Sequence, residues 1–478
     1  MPRKRKAADE RVDSKGKKQN LGASSTPAKR TRTGNQPTGP NTLQTTRPTR
    51  LFIWGSNGGG QLGLGSFSGT ILKPRRHPWA EQQAEQGGFG EQGAGLVGIA
   101  AGGGHTLLLD ETGTVWSCGL NDDAALGRIT EDIPDPSNPD SFLDQDVLER
   151  EFHKVDSLIA EDFRSVQVAA GGCISAAVSD QGDLRVWGTF RDDQGRYLFA
   201  DKKSHQFLPT PILRLTRNTG KVSSIACGAN HIVVLTTLGN VYTWGLSELG
   251  RLGRKVSTFK SAPDRVLLGD GSRKAVVIGA GETTSFAVDD SGDVWGWGLN
   301  SMGHTGTGHP KHDKDVVERP SKVIGLSSTE LDSSDRVVKI AGGEHHTLFL
   351  TSQGKVYVCG KSNDGQLGLV NNHDAEDHRT TRFVSEPVRI DFPSNADDDP
   401  IVHISAGLRY NMAVTRDGIL YSWGFGPQGE LGLSQPSPDD EIELALTPQP
   451  VTRREGSWAV KDVSCGGMHV LGLFQKRQ

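Results

Sequence analysis

Residues 99–127, IAAGGGHTLLLDETGTVWSCGLNDDAALG, hold a unit that the rest of the chain repeats. Small residues open it (Ala100, Ala101, Gly102). An apolar run follows (Leu107, Leu108, Leu109), a polar turn ends in Gly113, and a second apolar run reaches Cys118. Two extended runs joined by a glycine-bearing turn read as a β-hairpin. The opening glycine recurs as Gly171, Gly228, Gly281, Gly343 and Gly407, and the turn glycine as Gly182, Gly239, Gly292, Gly354 and Gly418, always 11 residues later. Five residues past each turn glycine stands Cys118, Trp187, Trp244, Trp297, Cys359 or Trp423, followed each time by Gly. A turn glycine permits positive φ, and the large side chain beyond it suits a core between sheets.

The chain ends hold complementary halves of the unit. Residues 51–65, LFIWGSNGGGQLGLG, have only the second half, and residues 463–474, VSCGGMHVLGLF, only the first. Six whole units and two halves make seven. The expected fold is therefore all-β: a seven-bladed propeller closed by pairing of the N- and C-terminal half-repeats, which leaves no long edge strand open. An open solenoid would call for polar caps instead.

Residues 1–50 differ in kind from residues 51–478, and the two are read as a tail and a propeller. The tail holds 13 Lys/Arg against 3 Asp/Glu; the whole chain is −4, so the remainder carries −14. Rich in Ser, Thr, Pro and Gly, the tail cannot bury a core and is expected to be disordered. Its clusters include Arg3, Lys4, Arg5 and Lys6, then Lys15, Lys17 and Lys18, a composition suited to nuclear targeting and DNA contact. The charged N-terminus does not read as a secretory leader, and no apolar run approaches a membrane span.

Polar insertions separate the units: residues 74–95, 128–164 (with a short helix expected near 144–153), 254–274, 307–336, 370–400 and 434–457. In a propeller these are face loops, where binding is usually placed. The five cysteines sit at repeat positions and form no Cys-x-x-Cys pair, which fits small apolar fillers in a reducing compartment.

The residues offer no covalent chemistry. There is no phosphate-binding Gly-x-x-x-x-Gly-Lys-Ser/Thr loop and no acid–base set. His105, His231, His346 and His469 all stand three residues after an opening glycine, so packing is the default reading and a zinc site is not expected. His345 is extra to the repeat. One unit is irregular. Six units carry a second glycine eight residues after the Trp-Gly or Cys-Gly step; the unit at Gly188 reads VWGTFRDDQGRYLF and lacks it. Phe190 and Tyr197 bracket Arg191, Asp192, Asp193, Gln194, Gly195 and Arg196, a pattern that predicts a protruding hairpin.

The repeat resembles that of the regulator of chromosome condensation family over about residues 51–474. The segments TWGLSELGRLGRK and VWGTFRDDQGRYLF, with the basic tail before a single propeller, are similar to its nuclear exchange factors for the small GTPase Ran. The resemblance implies exchange without a cofactor, with residues 190–197 as the wedge that helps expel nucleotide. It also implies a GTPase-binding face of His105, Asp201, Asn230, Arg254, His345 and His469. The implied partners are Ran, nucleosomes and DNA, the latter two through the tail and a loop bearing Lys255, Lys260 and Arg265. The implied location is the nucleus, on chromatin; a monomer is expected. Asn230, Gly172 and Gly58 stand where the family often has acids, and Gly303 where it has a histidine. The competing readings are a propeller scaffold without exchange activity and, less well supported, a light sensor, whose clustered tryptophans are not evident here.

Overall fold

The computed structural model describes residues 48–477 other than 67–68, 201, 214, 217, 257–261, 310–315, 333, 370–382, 394–397, 434–441 and 453–455. The tail clusters Arg3–Lys6 and Lys15–Lys18, together with Asp201 and Lys260, lie outside the described residues.

Seven four-stranded antiparallel sheets follow one another along the chain. The first is formed by Leu96–Ala101, His105–Asp110, Val115–Gly119 and, outermost, His153–Lys154. The seventh is composite. Trp458–Cys465 and His469–Lys476 supply its two inner strands, and Arg50–Ser56 and Thr70–Arg76 its two outer ones. Arg50 pairs with Phe474 and Trp54 with Val470, so the two ends of the chain close the ring in one sheet. Thr49 is already buried, and its hydroxyl donates to the Leu96 carbonyl at 2.5 Å.

The core lies between blades. Trp54, Trp187, Trp244, Trp297 and Trp423 are fully buried. Four of their indoles donate backwards to the preceding blade: Trp187 to the Ala125 carbonyl (2.8 Å), Trp297 to Arg251 (3.0 Å), Trp423 to Gln366 (3.2 Å) and Trp54 to Glu430 (2.7 Å). The second glycine of the repeat belongs to this contact. A Cβ on Gly127 or Gly368 would stand 2.9 or 2.7 Å from the indole, and both residues have positive φ. At about 25 cal/mol per Å² over about 200 Å² per indole, each tryptophan contributes roughly 5 kcal/mol before its ordering cost.

The insertions are more regular than their composition suggests. Residues 74–95, read as a Gln/Gly-rich loop, contain the helix Pro78–Gln86. Pro78 starts it, the His77 ring caps the Ala80 amide, Ala80 and Ala84 face the core, and Gly87 ends it in the left-handed conformation. In the 128–164 insertion, Pro134–Asp135 pairs with Asn138–Phe142, and the expected helix is Gln145–Arg150, capped by Asp144. Among the described residues no helix is long and apolar enough to cross a membrane.

Candidate partner-binding face

Strand pairing puts the functional loops on one side of the disc. His105 pairs with Gly119 and Ile174 with Gly188, so each opening-glycine turn lies at the same end of its blade as the loop after the third strand. Around the central opening these turns are linked blade to blade by backbone bonds. Gly103 donates to Gly171 (3.0 Å), Gly172 to Ala229 (3.2 Å), Ala229 to Glu282 (3.2 Å), Glu282 to Gly343 (3.1 Å), Glu344 to Leu408 (3.0 Å) and Gly467 to Gly102 (3.0 Å). They rim a recess of about 270 Å³ in which Glu282 is the only charged lining residue. Burial, reinforced by Glu344, raises the Glu282 carboxyl above the usual range.

The four repeat histidines serve the frame beneath this face. Each joins a relay that crosses to the next blade. His105 Nε2 meets Ser175 Oγ at 2.8 Å, and that hydroxyl donates to the Ala125 carbonyl at 2.8 Å. His231 meets Ser285, which donates to Arg251; His469 meets Thr106, which donates to Gln61; His346 meets Asn411 Oδ1 at 2.7 Å, whose amide donates to Gln366. The hydroxyl spends its one proton on the carbonyl, and Asn Oδ1 has none, so each imidazole must be the donor at Nε2 and carry a bare Nδ1. That bare edge faces the opening glycine. A Cβ on Gly102, Gly228 or Gly343 would lie 2.2 to 2.3 Å from the ring. Burial holds all four rings neutral, with pKa values lowered to about 4 for His105 and His346 and about 3 for His231 and His469. His105 and His469, expected on the partner-binding surface, are thus corrected to inter-blade ties: they are 1% and 0% exposed and cannot touch a partner directly.

Residues 190–197 form the expected hairpin, Phe190–Arg191 pairing with Tyr197–Leu198. Asp192 organises its turn: one carboxylate oxygen accepts from the Gln194 and Arg196 amides, and the other pairs with Arg196 Nε at 2.7 Å. Desolvation opposes ionisation of Asp192, but the Arg196 contacts outweigh it and its pKa is lowered. The base is rigid. Phe190 is fully buried, and its ring meets Trp244 edge-on at 4.9 Å; Phe199 meets the same indole at 5.0 Å. These two phenyl rings occupy the place that the Leu-Gly step takes beside the tryptophan in other blades. The hairpin leans onto the third blade, where Asn230 Oδ1 accepts from the Arg191 amide at 2.8 Å. Asn230 therefore holds the hairpin base. Arg191 stacks over Tyr197, and Asp193, Gln194, Arg196 and Tyr197 are exposed at the tip.

Of the other expected contacts, His345 lies on this face with 30% of its side chain exposed, 3.6 Å from the Glu344 carboxylate. Arg254 is partly buried: its side chain is 12% exposed and braces its own blade, donating to the Thr243 carbonyl at 3.0 Å and facing Asp264 at 4.0 Å, while it also lines a surface groove with Ser247, Leu249 and Lys255. Arg128 makes the same contacts to Ser117 in the first blade, so the brace is a shared structural feature. Gly303 has positive φ, and a Cβ there would press on Ser385 at 2.6 Å, so an imidazole cannot stand at that site without a backbone shift.

Two further acidic residues join the face, Glu248 and Glu282, with the buried Arg251 beneath Glu248, its Nε donating to the Glu248 carbonyl at 2.9 Å. Carboxylate oxygens of Asp192, Asp193 and Glu248 come within 4.8 Å of one another, the one group of three or more His, Cys, Asp and Glu ligand atoms so close among the described residues. Burial raises the Glu248 carboxyl, and Arg251 opposes the rise. The arrangement offers shape, charge and a stiff projecting hairpin.

Residues 50–472 match the RCC1-like domain family. Protein pim1 of Schizosaccharomyces pombe is 31% identical over 406 residues, covering 84% of this chain and 70% of pim1. Guanine nucleotide exchange factor SRM1 of Saccharomyces cerevisiae is 31% identical over 419 residues, covering 84% of this chain and 83% of that protein. Among solved structures, Prp20p of Saccharomyces cerevisiae, described with its binding properties to Gsp1p and histones, superposes with a TM-score of 0.75 at 28% identity, covering 91% of this chain and 94% of Prp20p. Repeat, ring closure and full-length similarity agree, and the chain belongs to the RCC1-like domain family.

Proposed function

We propose that this protein is a guanine-nucleotide exchange factor for a small GTPase of the Ran type, nuclear and held on chromatin by its basic tail. The observation that carries the reading is the 190–197 hairpin, which replaces the Leu-Gly step of the repeat and is clamped at its base by Phe190, Phe199 and Asn230 and bare at its tip. The names of the relatives supply the activity class, and the binding of Prp20p to Gsp1p and histones supports the partners.

Exchange of this kind makes no covalent bond. The protein speeds nucleotide release by binding the release transition state more tightly than the loaded GTPase. Each tenfold acceleration takes about 1.4 kcal/mol, so a 10⁵-fold effect takes about 7 kcal/mol. A standard interface with a few buried anchors supplies that much. A rigid hairpin adds to it, because little of its ordering cost is left to meet on binding. The −14 charge of residues 51–478 favours encounter with basic partner surfaces.

The test is release of fluorescent GDP from Ran by the full-length protein and by a variant lacking residues 191–195. The intact protein accelerates release and the variant loses most of that effect while still binding the GTPase. Equal acceleration by both removes the wedge. No acceleration by either leaves the scaffold reading.

A further inference from the structure

We propose that His304 and His345, on facing parts of the fourth and fifth blades, form a two-imidazole site for a transition-metal ion of the Zn²⁺ type. The first observation is a broken rule of the repeat. The residue two before the second glycine is Gln61, Arg251, Gln366 or Glu430 in four of the other blades, where its side chain ties its own loop, and Ala125 in the first, which has no polar side chain to tie. Gln61 Oε1 accepts from the Gly59 amide (2.7 Å), Gln366 Oε1 from Asp364 (2.8 Å) and Glu430 Oε2 from Gln428 (2.7 Å), while Arg251 Nε donates to Glu248 (2.9 Å). In the fourth blade this position is His304. It is 0% exposed, and among the described residues neither of its ring nitrogens has a hydrogen-bond partner. A buried polar ring with both nitrogens idle is rare in a satisfied fold.

The second observation is what that ring faces. The His345 ring lies 5.6 Å from it, centre to centre, at an interplanar angle of 74°. Two imidazoles bound to one tetrahedral ion at about 2.0–2.1 Å hold their ring centres about 5 Å apart, so a small side-chain adjustment brings a nitrogen of each to a shared ion. His345 Nδ1 is also without a partner, and its partial exposure gives an entry path. Glu344, 3.6 Å from His345 Nε2, is placed to orient that ring or to add an oxygen ligand. Imidazole donors favour Zn²⁺ and its neighbours over Mg²⁺ and Ca²⁺. A bound ion would cross-brace two blades on the face that also carries the hairpin.

Full-length protein titrated calorimetrically with Zn²⁺ at pH 7.5, with Mg²⁺ as control, tests this. The expected result is one Zn²⁺ site per chain that Mg²⁺ does not fill and that weakens by about 100-fold or more in both His304→Gln and His345→Ala. His304→Gln restores the residue of the fifth and seventh blades and should melt no lower than the parent. Absence of that site, or its persistence in either variant, overturns the proposal. If His304→Gln melts early, His345→Ala alone decides, because its ring is partly exposed.

Discussion

Acid should dismantle this propeller over a narrow range, and its buried histidines are the reason: the four inter-blade ties, with His77 and His403, lowered by burial to about 4, and His304, lowered to about 3, adding to the loss in the same window. In the unfolded chain each titrates near 6.5. In the folded chain burial lowers His105 and His346 to about 4, and His231 and His469 to about 3. Each ring uses Nε2–H to reach Ser175, Asn411, Ser285 or Thr106, and a second proton would sit on a buried Nδ1 against glycine. The folded pKa values are depressed, so their contribution is full above pH 6.5 and is lost as pH falls towards 4. Between pH 7 and pH 5 the unfolded chain takes up nearly one proton per histidine and the folded chain almost none, which costs about 2 kcal/mol each and roughly 7 kcal/mol for the four. That is a large part of an ordinary domain's 5–15 kcal/mol. Carboxylates with lowered pKa values act mainly below pH 5 and do not mask the effect. Denaturant titrations at half-unit steps from pH 7.5 to 5 measure it directly. A stability that stays level over this range would refute the tautomer assignment and the relays with it. His231→Gln should reduce the slope by about one proton.

Phe190→Ala opens the base of the hairpin beside Trp244 and should cost about 3–5 kcal/mol; GDP release should slow more than an equally destabilised blade-core variant, and equal rates would show that the hairpin does not act. Gly127→Ala and Gly368→Ala each combine a positive φ with a Cβ 2.7 to 2.9 Å from an indole, and should lose about 2 kcal/mol or more in denaturant titration; a neutral result would mean that the loops shift freely. Removal of residues 1–47 should lower DNA affinity and flatten its dependence on salt, because each neutralised phosphate contributes about −0.9 to the log–log slope; an unchanged slope would move DNA contact to the propeller.

The repeat was readable because its spacing is local. Gly102 to Gly113, and Gly113 to Cys118, each describe one hairpin, so the strands, the blade number and closure by the two end halves follow from short-range pattern alone. The missing Leu-Gly step near Gly188 likewise pointed to a hairpin. The helix Pro78–Gln86 was passed over as Gln/Gly-rich loop, although His77, Pro78, Ala80, Ala84 and Gly87 stand in helical positions. The resemblance puts His105 and His469 on the partner-binding face, yet their side chains are turned inward.

Blade count and the place of the one irregular hairpin are properties of the order of residues along the chain, since within six of the blades each strand finds its neighbour nearby in sequence; ring closure is legible as two complementary halves, although the strands that make it, Arg50 against Phe474, come from opposite ends. What a histidine does in this molecule is not such a property. His105 and Ser175 are 70 residues apart, His346 and Asn411 are 65, and His304 meets His345 only because two blades abut. Tertiary packing decided which rings are ties, which one is exposed and which is left without a partner, because burial and a donor from the neighbouring blade, not the local motif, set the protonation and reach of an imidazole.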